Sequence, residues 1–191
     1  THAGIAGWFL LLVIGVASRL VPMFLISKYT NPRLLWVIYD LINGALVLYL
    51  ILFLMQSPPV WNLIPGVALL AAMALFIFFG YSAWRGRIRR KVDEPMKLSL
   101  LSVVMTLLPV LLILALIITM LFNHTESHRY YIAYGFLIFF GWITAIILGM
   151  TFKTLPFIVW NRVYHHRASM GKTPNPKDLY SNPLFVAMGI L

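Results

Sequence analysis

Five long apolar blocks constrain this chain more than any other feature. Residues 4–26, 34–55, 64–84, 98–122 and 132–152 each run to about the 20 residues that carry a helix across a bilayer. In hydrocarbon every backbone donor and acceptor must be satisfied within its own segment, so blocks of this length have to be helices. Composition agrees: 61% of the residues are hydrophobic and 10% charged, against about 25% charged in a typical soluble domain. A single soluble core could not hide that much apolar surface. The expected fold is all-α, a polytopic transmembrane bundle of five spanning helices plus the start of a sixth in the apolar run from Leu184. Residues 1–191 form one transmembrane domain. Thr1 opens at the edge of a hydrophobic block with no basic segment before it, which is unlike a signal peptide. The expectation is a fragment of a larger polytopic protein. With no cysteine, disulfides and thiolate metal or iron–sulfur sites are excluded within these residues.

The net charge of +10 is explained by where the charges sit rather than by nucleic acid. Lys28 and Arg33 follow the first block. Arg85, Arg87, Arg89, Arg90, Lys91 and Lys97 follow the third, and Arg162, Arg167, Lys172 and Lys177 the fifth. The alternate connections hold only Arg129. Twelve basic residues against one is the asymmetry of the positive-inside rule, which makes the loops 27–33, 85–97 and 162–183 cytoplasmic. The lipid bilayer is the expected partner, with other membrane subunits or missing helices of the same protein around it. Contact with anionic headgroups accounts for the densest basic loop.

A repeat lies within the helices. Gly7-Trp8, Gly15, Arg19 and Pro22 recur as Gly141-Trp142, Gly149, Lys153 and Pro156, all at one offset of 134 residues. Tyr29-Thr30-Asn31-Pro32 is answered by Tyr180-Ser181-Asn182-Pro183 after a longer loop. The implied unit is four helices long and repeats in parallel orientation. Gly141, Ala145 and Gly149 form a stripe of small residues where another helix can approach closely, and Gly7 and Gly15 lie on the equivalent face. Pro22 and Pro156 are expected to kink or end their helices, and Pro109 to kink the fourth.

Few residues offer chemistry. Asp40 is the only acidic residue in a spanning block, and Arg19 lies at a matching depth of about 10 Å in the neighbouring one. An Arg19–Asp40 ion pair is the expected reading; a proton path through Asp40, with Asn43 beside it, is the sharper one. His124 and His128 have metal-ligand spacing but flank Glu126 in a loop, and His165 and His166 sit beside Arg167 as solvated residues. His2 stands at the outer end of a helix rich in small residues. No triad, phosphate-binding loop or carboxylate pair stands out.

The runs His2-Ala3-Gly4-Ile5-Ala6-Gly7-Trp8, Arg19-Leu20-Val21-Pro22-Met23-Phe24 and Leu155-Pro156-Phe157-Ile158-Val159-Trp160 resemble the subunit I family of heme-copper oxidases. More narrowly, they resemble its orphan oxidase-like and NnrS-type relatives. The resemblance implies twelve helices in three sets of four, and heme as cofactor with His2 as its ligand. Neutral imidazole is a common axial ligand of heme iron. It also implies an accessory or orphan component of a respiratory or metal-related membrane system, in a bacterial inner membrane. The chain departs from the pattern at Phe136, which stands where a second histidine would match His2, and in residues 56–62, which hold no histidine. Those departures argue against an oxygen-reducing centre. A transporter or channel built on a parallel repeat, or a structural subunit of a larger complex, are the readings from other classes.

Overall fold

The computed structural model describes residues 3–88, 94–123, 128–164 and 179. Among them, five helices are long and apolar enough to cross a membrane: Gly4–Leu25, Pro32–Leu54, Pro59–Arg85, Pro95–Phe122 and Arg129–Tyr164. Five such helices support an integral membrane protein. The run from Leu184, and with it the sixth helix and the second Tyr-Ser-Asn-Pro element, lies outside the described residues.

The first span opens as a π-helix, Ala3–Leu10, and continues as α1, Leu11–Leu25. It stops three residues after Pro22, in a turn where the Ile26 amide donates to the Met23 carbonyl and the Ser27 amide to the Pro22 carbonyl. Ile26 takes the left-handed conformation there, at φ 51°, a position usually given to glycine. α2, Pro32–Leu54, starts as its Asn-Pro sequence suggests. The Asn31 side chain accepts from the Leu34 amide at 3.2 Å, and Pro32, with no amide to leave unpaired, forms the first turn. A short 3-10 turn, Pro59–Asn62, leads into α3, Leu63–Arg85.

The fourth span is broken, as Pro109 predicts. α4, Glu94–Met105, and α5, Leu107–Asn123, meet at Thr106. Proline lacks the amide that would bond four residues back, and its ring crowds that carbonyl, here the one of Met105. The fifth span comprises α6, His128–Phe136, a π-helix, Leu137–Ile143, and α7, Thr144–Tyr164. The Thr144 amide and hydroxyl both donate to the Phe139 carbonyl five residues back. Pro156 does not end this helix, which runs on to Tyr164.

α3 is central, running along α2 and touching α1, α4 and α5, while α4 runs along α7. The core is built from one stripe per helix: Ile14, Ala17, Val21 and Leu25 on α1, Ile38 and Ile42 on α2, and Met73, Phe76, Phe79 and Ala83 on α3. At the basic end, Ser27 and Arg87 form an isolated antiparallel bridge, and the Ile88 amide donates to the Ile26 carbonyl. The Arg87 guanidinium lies 4.2 Å from the centre of the Trp84 ring and donates to the Trp84 carbonyl at 2.9 Å. The ends of α1 and α3 are thereby tied together.

Candidate functional site

All five spans contribute to a cavity of about 360 Å³ at the end of the bundle away from that bridge. Its size lies at the lower end of the ~300–1,000 Å³ typical of ligand pockets. Near the mouth stand Ile5, Tyr49, Asn62, Met120, Tyr131 and Tyr134. Deeper in the membrane the lining becomes Ile42, Met73, Thr106, Pro109, Val110 and Trp142. From Tyr131 to Trp142 the fifth span advances eleven residues, so the cavity is about 15 Å deep. The break between α4 and α5 faces it through Thr106 and Pro109. Thr106 does not present its proton to the cavity, because its hydroxyl donates to the Val103 carbonyl at 2.6 Å.

Polarity is graded along the cavity. Phenols and an amide gather at the mouth, and among the described residues no charged side chain lines the cavity. The Tyr131 hydroxyl points to the Met120 sulfur at 3.9 Å, a weak acceptor. At the deep end Trp142 is 3% exposed, and its ring meets Phe9 edge-on at 5.5 Å. Among the described residues its buried indole N–H finds no acceptor, a state that costs about 1–3 kcal/mol.

The residues singled out in the sequence are not gathered at this cavity. His2, His124, Glu126, His165 and His166 lie outside the described residues, and of His128 only the backbone is described. Among the described residues no group of three or more His, Cys, Asp or Glu could hold a metal. Arg19 and Asp40 are both exposed, and no ion pair joins them among the described residues. Arg19 is two residues from both Ala17 and Val21 of the buried stripe of α1, and Asp40 two from both Ile38 and Ile42 of α2. At 3.6 residues per turn two steps lead to the far side of a helix, so each charge faces away from the core. Asn43 is likewise committed, its amide donating to the Tyr39 carbonyl at 2.9 Å.

The small residues divide. A Cβ at Gly149 would strike Ser99 and the Pro95 carbonyl of α4, so this glycine lets α7 and α4 approach closely. Gly7 lies against the tip of Leu46 on α2, and Ala145 is half-buried. Gly15 and Gly141 have nothing within 4 Å of a built Cβ, so no close packing occurs at either among the described residues. The partner stripe on α4 escaped the sequence reading. Ser99, Ser102 and Thr106 are buried, spaced by three and four, and each hydroxyl is satisfied by a carbonyl of its own helix.

Comparison with protein-family models, with curated proteins and with solved structures finds no match to this chain.

Proposed function

We propose that the chain belongs to a heme-copper-oxidase-like integral membrane protein, an accessory or orphan component of a respiratory or metal-related membrane system without its own oxygen-reducing centre. One observation carries the reading. The two π-helices, Ala3–Leu10 and Leu137–Ile143, overlap at the same 134-residue offset that relates Gly7-Trp8 to Gly141-Trp142. Long π-helices are rare and cluster at functional sites. Two at equivalent positions support a four-helix parallel repeat, which is the unit the resemblance implies. Each is followed by an α-helix with a buried internal proline, Pro22 or Pro156.

The described residues do not themselves provide a heme ligand of the family type, since no histidine lines the cavity. Ligation through His2 is therefore the part of the reading that rests on resemblance alone, and no reaction step follows from it. Arg19 and Asp40 favour further helices or subunits around this bundle, because intramembrane charges facing outward are costly unless covered. A transport path along Asp40 finds no support in a carboxylate that faces away from the cavity.

The deciding experiment is an absorption spectrum of the full-length protein purified from heme-replete cells. A Soret band that disappears in His2→Ala, with membrane insertion unchanged, is the expected result. A spectrum with no Soret band would remove heme from the proposal, and a band that survives His2→Ala would move the ligand elsewhere.

A further inference from the structure

The broken fourth span joins an anchored helix to one that borders empty space. We infer that α5 is a movable wall of the cavity, pivoting at Thr106 and Pro109 while α4 stays fixed on α7. Three observations carry it. The first is a weakened ladder at the junction, where Pro109 has no amide for the Met105 carbonyl and the Thr106 hydroxyl donates to the Val103 carbonyl at 2.6 Å. Such back-bonding by threonine often bends helices, and sharp kinks fall at prolines. The second is that α4 is held by backbone atoms: a Cβ at Gly149 would meet the Ser99 nitrogen at 2.9 Å and the Pro95 carbonyl oxygen at 3.0 Å. At Gly66, by contrast, the close contact of α5 with α3 is made by a flexible tip, a methyl of Leu114. The third is that the inner face of α5 (Pro109, Val110, Ile113, Leu116, Ile117 and Met120) borders the cavity of about 360 Å³.

The movement required is small. Met120 lies about 21 Å along α5 from Thr106, so a change of about 10° at the pivot carries it about 4 Å. A cavity of about 360 Å³ and about 15 Å depth has a mean width of about 5 Å. A swing of that size closes most of it and leaves the α4–α7 contact untouched. The cavity is then a compartment that opens and closes rather than a vessel of fixed size. Nothing in this depends on heme, and the failure of either reading leaves the other standing.

Residues 1–191 hold no cysteine, so pairs of nitroxide labels on introduced cysteines report the motion directly. Electron–electron distances are measured on full-length protein in nanodiscs, with any cysteine outside these residues changed to serine. The α2–α5 pair is Leu54→Cys with Phe122→Cys, at exposed ends of the two helices. The α4–α7 pair is Leu101→Cys with Ile158→Cys, both exposed, and reports the fixed framework. The α2–α5 distribution should be about 4 Å broader than the α4–α7 one, or split by that amount. Pro109→Ala restores the missing amide and should narrow it to the width of the α4–α7 pair. Ala6→Phe, which fills part of the cavity, should remove the shorter α2–α5 distances and keep the longer ones. Three outcomes overturn the inference. An α2–α5 distribution as narrow as the α4–α7 one makes α5 static. Equal breadth in both pairs makes the whole bundle loose rather than hinged. A broad α2–α5 distribution that persists in Pro109→Ala, with the α4–α7 pair still narrow, removes the pivot from the proline. Should Pro109→Ala disturb the α4–α7 pair, Ala6→Phe decides in its place, and short distances retained there overturn the pivot.

Discussion

Gly149→Ala tests the packing of the bundle at its tightest point. A Cβ at residue 149 would meet the Ser99 hydroxyl, the Ser99 backbone nitrogen at 2.9 Å and the Pro95 carbonyl oxygen at 3.0 Å. The hydroxyl cannot simply swing clear, because it already donates to the Pro95 carbonyl at 3.0 Å. The two backbone atoms move only if α4 moves as a whole, by about half an ångström to reach ordinary contact distance. Overpacking of this kind costs about 1–3 kcal/mol, and the helix-propensity gain of alanine over glycine returns up to about 1 kcal/mol. The net expectation is a loss of about 1–2 kcal/mol, or roughly a five- to thirtyfold fall in the folded-to-unfolded ratio. Two controls calibrate it. Gly7→Ala meets only the flexible tip of Leu46, and Gly44→Ala, within α2, meets nothing within 4 Å. The first should be near neutral and the second neutral or stabilising. Equilibrium unfolding in mixed micelles with increasing denaturing detergent, followed by tryptophan fluorescence, gives the three values. Equal effects at Gly149 and Gly44 would refute the close approach of α4 and α7.

Trp142→Phe removes a buried N–H that has no acceptor among the described residues. It should therefore change stability by less than about 1 kcal/mol, whereas truncating a well-satisfied buried side chain usually costs more; a loss above about 2 kcal/mol would show that the indole proton is satisfied. Arg19→Ala and Asp40→Asn should be additive within about 0.5 kcal/mol in a double-mutant cycle, as expected for groups that do not interact. A coupling above about 1 kcal/mol would show that the two charges pair.

Much of the fold is legible in the sequence because length and hydropathy decide it. The block 4–26 becomes the span Gly4–Leu25, and 98–122 becomes Pro95–Phe122. The fifth block fails for a physical reason. The apolar run ends at Phe152, yet a long basic side chain such as Lys153 need not interrupt a helix when its head finds a partner. The Lys153 ammonium lies 5.1 Å from the centre of the Phe24 ring, and α7 continues to Tyr164. The exposure of Arg19 and Asp40 has a different source. Matched depth along two helices says nothing of direction around each, and the buried spacing Ala17–Val21 and Ile38–Ile42 points the core the other way. The cavity could not be found in the sequence at all. It depends on which ends of five helices meet, and Tyr49 lies far along the chain from Tyr131 and Tyr134.

The proposed repeat makes one demand that the described residues leave open. Equivalent positions on the first and fifth spans have unequal surroundings: Trp8 is 69% exposed where Trp142 is 3%, and Gly15 faces open space where Gly149 packs on α4. A true four-helix repeat gives the first span a neighbour equivalent to α4, drawn from other helices of the same protein or from another subunit. Gly15 would then be a packing position in the whole assembly although nothing touches it here. In the full-length protein, Gly15→Leu should cost about 1–3 kcal/mol by overpacking that interface, while Gly44→Leu, on the exposed side of α2, should be tolerated. Placing the test on leucine rather than alanine matters, because a neighbour with some slack would absorb a single methyl. If Gly15→Leu is as harmless as Gly44→Leu in detergent unfolding, that face meets lipid. The shared offset of the two π-helices would then reflect local sequence similarity alone, and the four-helix repeat would fall.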